Sequence, residues 1–168
     1  MNIKKVGLAG FGTIGRPVGK ALDDGIEGLK LVAICVRDRG RAEVRMADFR
    51  NAVPILGPEE LAEAADIIVE IVPKAAFASI AFPALKAGRL LVTVSGAGLL
   101  EHPEIIELAR SGTGRIELAT GALLGLDAVR AAAEGTIDEV RMITRKPPRS
   151  LTGAPYLTEH CIKVDGID

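Results

Sequence analysis

The sequence predicts an α/β protein of the doubly wound, Rossmann type, and three observations carry that prediction. Hydrophobic residues make up 48% of the chain while aromatics make up only 3% and Trp is absent, so the core is built from Ala, Val, Ile and Leu, the usual stock of a parallel sheet covered by helices. Short apolar runs alternate with helical patterns, the order that crossover helices between parallel strands require. The first apolar run ends in Gly10, Gly12 and Gly15, spaced G-x-G-x-x-G, directly before an amphipathic stretch. A length of 168 residues predicts one domain, at most one and a part.

Ile3 to Ala9 reads as a buried first strand, and Ile14, Val18, Ala21 and Leu22 recur at helical spacing behind the glycines. Leu29 to Val36 is a second strand. Charge takes over abruptly at Arg37 to Glu43, a short helical piece follows, and Val53 to Leu56 is a brief third strand. Pro58 to Ala65 opens with proline and acids, a favourable helix start. Asp66 to Val72 is the fourth strand; Lys74 to Ala87 is helical, with Pro83 expected to bend or split it. Arg89 to Val94, the helix from Pro103 to Arg110, and Gly114 to Ala119 complete six strands of one sheet. Beyond it, Leu123 to Glu134 reads as an alanine-rich helix, and Ile137 to Arg145 alternates as an antiparallel strand with one wet face would. The architecture changes there, so residues 1–122 are expected to form the dinucleotide-binding domain and residues 123–168 the start of a second, α+β domain for substrate or dimerisation.

The glycine spacing matters because a pyrophosphate needs such a cradle. Gly10 permits a tight turn out of the strand, Gly12 removes a side chain that would block phosphate, and Gly15 lets the helix pack close to the strand. Phosphates then meet free N–H groups and the positive dipole end of the helix. The triplet alone is weak in a chain with 19 glycines, and a plain strand-turn-helix is the alternative; the order of elements around it favours the cofactor reading.

Composition narrows the partners. A net charge of −1 gives no general electrostatic case for nucleic acid or an anionic membrane, so a small-molecule ligand is expected. Cys35 and Cys161 lack C-x-x-C spacing, which points to reduced thiols in a cytoplasmic protein and to no metal site; Cys35 reads as a small buried hydrophobe. No signal peptide and no apolar stretch of transmembrane length is expected.

Ligands of open α/β sheets bind at the carboxyl ends of the strands, so the loops there hold the candidates. After the second strand, Asp38 lies 23 residues beyond Gly15, near the spacing of an acid that binds the adenosine ribose of NAD. Arg37, Arg39 and Arg41 could equally form a cluster for the extra phosphate of NADP, and a solvated charged loop is the third reading. The fourth strand ends in Glu70-Ile-Val72-Pro73, and the fifth leads to a loop of small residues, Ser95 to Gly98, open to a planar nicotinamide and with a hydroxyl to offer it; an ordinary turn is the alternative. Glu70 reads as a buried acid or, more commonly for such a residue, as a loop cap. The sixth strand runs into Gly121 and Ala122, a floor for the site. His102 reads as a surface or capping residue; His160 has no readable setting. No catalytic triad, acid pair or His/Cys ligand cluster is present in the pattern.

Five segments, Gly10 to Gly15, Val69 to Ala76, Val92 to Ser95, Thr120 to Val129 and Thr144 to Ser150, together resemble the L-aspartate dehydrogenases over essentially the whole chain. The Thr-Gly-Ala-x-x-Gly-Leu-Asp and Lys-Pro-Pro segments are the narrow ones. The resemblance implies reversible NAD- or NADP-dependent oxidative deamination of aspartate to iminosuccinate, which hydrolyses to oxaloacetate or feeds NAD biosynthesis, by hydride transfer from the substrate Cα to nicotinamide C4. It implies that Gly10, Gly12, Thr13, Ile14 and Gly15 hold the pyrophosphate and that Ala122 contacts the cofactor. Arg37, Asp38, Val72, Pro73, Ser95 and Gly121 join them as expected cofactor contacts, and a homo-oligomer is expected. The family runs on for roughly another hundred residues, a length typical of a second domain, which carry its catalytic histidine and a cofactor-binding asparagine. Neither maps onto this chain, and His160 matches no catalytic segment. The expectation is therefore a fragment or truncated product that binds dinucleotide with little or no turnover. Two other readings are a non-catalytic cofactor-sensing module that associates through the Ile137 to Arg145 strand, and a related amino-acid or imine reductase.

Overall fold

Lys4–Ala9 forms β1, a strand whose last four residues are buried, and everything else in the larger part of the molecule is arranged around it. The computed structural model describes residues 2–121, 125–148 and 151–164. It divides into two compact units, Met1–Leu124 and Gly125–Asp168. In the first, β1 pairs in parallel with β2 (Leu29–Cys35) on one side and with β3 (Ile67–Glu70) on the other; β4 (Leu90–Thr93) and β5 (Arg115–Leu118) follow, all parallel. The order β2-β1-β3-β4-β5 makes this the expected doubly wound sheet. Its direction of winding reverses between β1 and β3, where crevices for ligands form.

Six expected strands become five. Val53 to Leu56 reaches the sheet only through one parallel bridge, Ile34 to Ile55, with Ile34 N donating to Pro54 O at 3.0 Å and Leu56 N to Ile34 O at 2.9 Å. Pro54 has no N–H to extend that pairing, so a full strand cannot form beside β2. The segment nonetheless lies where a third strand of a Rossmann sheet belongs.

Alternation along the strands builds two apolar layers, one per face. Val6, Leu8, Leu31 and Ile34 pack with Phe11 and Leu22 of the first loop and helix. Ala9, Ala33, Ile68 and Leu91 face Leu61, Phe77, Ile80, Leu85 and Ile105 from the helices opposite. Phe77 and Leu91 are wholly buried, each contributing roughly 1.5–3 kcal/mol of transfer free energy.

The helices are α1 (Gly15–Gly25), α2 (Arg39–Arg45), α3 (Pro58–Ala64), α4 (Phe77–Lys86), α5 (Gly96–Glu101) and α6 (Pro103–Ser111). A 3-10 turn, Lys74–Ala76, precedes α4, so the helix expected from Lys74 is split at its start, and Pro83 sits inside α4. Helix α5 replaces the expected loop of small residues. Gly98 packs on Phe77 so closely that a Cβ would stand 2.6 Å from its ring, and Leu99 is buried; tertiary contact overrides the poor helix propensity of two glycines.

The second unit contains α7 (Leu126–Ala132) and α8 (Pro155–Glu159). Helix α7 is shorter than the expected span, part of which lies outside the described residues. The antiparallel strand expected at Ile137 to Arg145 is absent: no residue of that segment pairs in a ladder among the described residues. Val140, Met142 and Ile143 are 65%, 72% and 78% exposed, so among the described residues the alternating pattern meets no partner strand.

Candidate functional site

The chain leaves β1 at Gly10 with φ +100°, a conformation that suits glycine, and turns hard against the end of β3. A Cβ on Gly10 would stand 2.3 Å from the Ile71 carbonyl oxygen, and one on Gly15 would stand 2.2 Å from the Gly10 oxygen. Both positions therefore exclude any side chain. Gly12 is the opposite case, with nothing within 4 Å of where its Cβ would be. Its turn is open, so a ligand can approach the backbone there. Helix α1 begins at Gly15 with no side-chain cap from Ile14, and in its first turn Arg16 N donates to Gly12 O at 3.2 Å; Thr13 and Ile14 are exposed on the rim. Two tight positions and one open one are what a pyrophosphate cradle needs, so the residues fit a dinucleotide.

The cradle is held from its β2 side. Gly10 N donates to Cys35 O at 2.9 Å, and the Arg45 guanidinium at the end of α2 donates to Phe11 O at 2.7 Å. Arg16 in turn donates to Arg45 O at 3.1 Å and pairs with Asp48 at 2.7 Å. Cys35 takes part through its carbonyl; burial, with the Glu59 carboxylate adding to it, pushes its thiol pKa up.

Arg37 and Asp38 follow β2 one residue past its end, after Val36, and are exposed. Asp38 caps α2, its Oδ1 accepting from Arg41 N at 3.0 Å. The side chains of Arg37, Arg39 and Arg41 make no ion pair among the described residues. The loop thus offers one carboxylate with one oxygen already engaged and three free guanidinium groups.

Across the winding reversal, Glu70 ends β3 and is completely buried. Its Oε1 accepts from Val72 N at 2.8 Å and from the Ser95 hydroxyl at 3.0 Å, while the Thr93 hydroxyl donates to Oε2. Thr93 Oγ1 also accepts from Ser95 N at 2.9 Å. Glu70 is therefore a loop cap, the commoner use expected of it, but one that ties two loops. Val72 and Ser95 are half-buried and Pro73 is exposed. Gly121 follows β5 with φ +61°. Ala122 lies outside the described residues. Every described candidate thus sits at a strand's carboxyl end. Sequence reasoning missed Thr93 and Arg45: one reads as strand filler and the other as a charge in a charged stretch, and neither has a local signal.

The histidines have local partners. His102 Nδ1 meets Glu104 at 2.9 Å at the start of α6, and His160 Nδ1 meets Tyr156 O at 2.9 Å in the second unit. Among the described residues, no His, Cys, Asp and Glu group could hold a metal ion, and no helix is long and apolar enough to cross a membrane.

Known proteins resemble the chain in both sequence and fold. The family description "Homoserine dehydrogenase, NAD binding domain" matches residues 10–119. An L-aspartate dehydrogenase of Bradyrhizobium diazoefficiens is 45% identical over 161 residues, covering 96% of this chain and 57% of that protein. L-aspartate dehydrogenase 3 of Bordetella bronchiseptica is 43% identical, covering 96% of this chain and 60% of its own length. The chain thus spans less than two thirds of the curated relatives it matches. Among solved structures, a homoserine dehydrogenase from Thiobacillus denitrificans superposes with a TM-score of 0.63 at 21% identity, covering 80% of this chain and 33% of its own. Myo-inositol dehydrogenase from Lactobacillus casei, in complex with NAD(H) and myo-inositol, gives 0.64 at 21% identity, covering 80% of this chain and 42% of its own.

Proposed function

The chain belongs to the NAD-binding domain family of homoserine dehydrogenase, which makes NAD or NADP its cofactor, and from that premise we propose that it is the cofactor half of an L-aspartate dehydrogenase. The observation that carries this reading is a 45% identical relative of that name aligned over 96% of the chain. The proposed reaction is oxidative deamination of L-aspartate to iminosuccinate and on to oxaloacetate. The bound nicotinamide would accept the hydride. The chain's own residues grip and orient it. Gly10, Gly12, Thr13, Ile14 and Gly15 hold the pyrophosphate, Arg37 and Asp38 meet the adenosine ribose or its phosphate, and Val72, Pro73, Ser95, Gly121 and Ala122 border the nicotinamide. Residues 123–168 open the substrate domain in this reading, and a cytoplasmic homo-oligomer serving NAD biosynthesis goes with it; the free thiols of Cys35 and Cys161 support a reducing compartment.

The test has two parts. NADH fluorescence should rise on addition of the purified chain, and failure of NADH and NADPH alike to bind would overturn the reading. With ammonium and NAD(P)H, the chain should turn over weakly at most. Any activity should favour oxaloacetate over other 2-oxo acids, and preference for another acid would overturn the substrate.

A further inference from the structure

We infer that Glu70 is a positioning residue for the nicotinamide half of the cofactor, acting through the loops after β3 and β4; this rests on the functional reading above. Glu70 and Thr93 are the polar residues in the buried core of the described chain, and both are wholly covered. A buried carboxyl is costly and persists where its hydrogen bonds are satisfied. Here the bonds go to two loops at once. One oxygen accepts from Val72 N and the Ser95 hydroxyl at 2.8 and 3.0 Å, and the other accepts from Thr93, whose own oxygen receives Ser95 N at 2.9 Å. Val72 and Ser95 belong to different crossovers, 23 residues apart in sequence, and each is a candidate nicotinamide neighbour.

The same strand end also touches the cradle. Ile71 N donates to Ala9 O at 2.8 Å, and the Ile71 carbonyl is the surface against which Gly10 is pressed. Glu70 thus sets the height of the nicotinamide shelf relative to a pyrophosphate site fixed by β1. A carboxyl that served the fold alone would have no reason to discriminate between the two ends of the cofactor.

ADP-ribose, which lacks the nicotinamide, separates these roles. Glu70→Gln keeps an acceptor for Val72 N and Ser95 but presents an amide to Thr93; Thr93→Val removes the hydroxyl at nearly constant volume. In each variant, the ratio of NADH to ADP-ribose affinity should fall about fivefold or more, with a smaller NADH fluorescence gain, while ADP-ribose binds within about twofold of the unaltered chain. Glu70→Ala should exaggerate the loss, and the order Ala, then Gln, then Glu marks rescue by the conservative variant. Equal weakening of both ligands, or no change in either variant, would overturn the inference. Failure of the unaltered chain to bind ADP-ribose or NADH would instead remove the functional reading on which it rests.

Discussion

The two sides of the winding reversal are built by opposite means. On the β1 side, the cradle is backbone: Gly10 and Gly15 work because they lack side chains, and the loop is fixed through carbonyls of Phe11 and Cys35. On the β3 and β4 side, the shelf is side chain: a buried carboxyl and two hydroxyls register loops that the backbone alone leaves separate. A phosphate is the same in every dinucleotide and suits a rigid backbone cradle, whereas the reacting ring needs placing relative to a substrate. Side chains can be retuned for that without breaking the fold.

The contrast predicts how each side fails. Gly10→Ala should be the most damaging change, because it meets both a positive φ and a backbone oxygen 2.3 Å away. Roughly 3 kcal/mol of stability should be lost, read from urea unfolding, together with NADH and ADP-ribose binding alike. A Gly10→Ala chain that kept its unfolding midpoint would break the comparison.

In the proposed reading the β2 loop selects between NAD and NADP, and its variants should act in opposite directions. Arg37→Ala should weaken NADP about tenfold and spare NAD, whereas Asp38→Asn should weaken NAD relative to NADP, as titration of each dinucleotide would reveal. Loss of both cofactors in equal measure would mean that the loop reads the shared phosphates instead.

Arg45→Gln tests the brace on the glycine loop. Removing a charged donor from the Phe11 carbonyl should lower ADP-ribose and NADH affinity together by roughly fivefold, without altering their ratio. A changed ratio would blur the division between cradle and shelf.

The smallest effect concerns Cys35, which serves the cradle only by its carbonyl. Cys35→Ala should leave dinucleotide affinity within about twofold. Burial raises its thiol pKa, so the reactive thiolate is scarcer at neutral pH and grows as pH rises; alkylation followed by mass spectrometry should modify exposed Cys161 first and Cys35 more readily at alkaline pH.

The same contrast explains what could be read in the chain beforehand. The cradle is a run of neighbours, Gly10 to Gly15, with a fixed spacing, and the sheet announces itself through alternating apolar runs. Asp38 and Glu70 could be singled out, but their partners could not. Thr93 and Ser95 reach Glu70 from 23 and 25 residues away, and nothing local in Leu-Val-Thr-Val-Ser shows that its hydroxyls turn inward to a carboxyl. Helix α5 is hidden by its glycines, of which Gly98 admits Phe77. Ile137 to Arg145 misled in the other direction, since alternation gives a strand only when a second strand lies beside it.

The hydrogen bond from Arg45 to the Phe11 carbonyl spans 34 residues of chain. During synthesis, the glycine turn therefore emerges long before the group that braces it, and β2 and α2 must both be in place before that brace closes. The first strand-turn-helix is in this sense an unfinished pocket, completed by the crossover that follows it; a peptide ending after α1 would carry the whole glycine signature without the brace that completes the cradle.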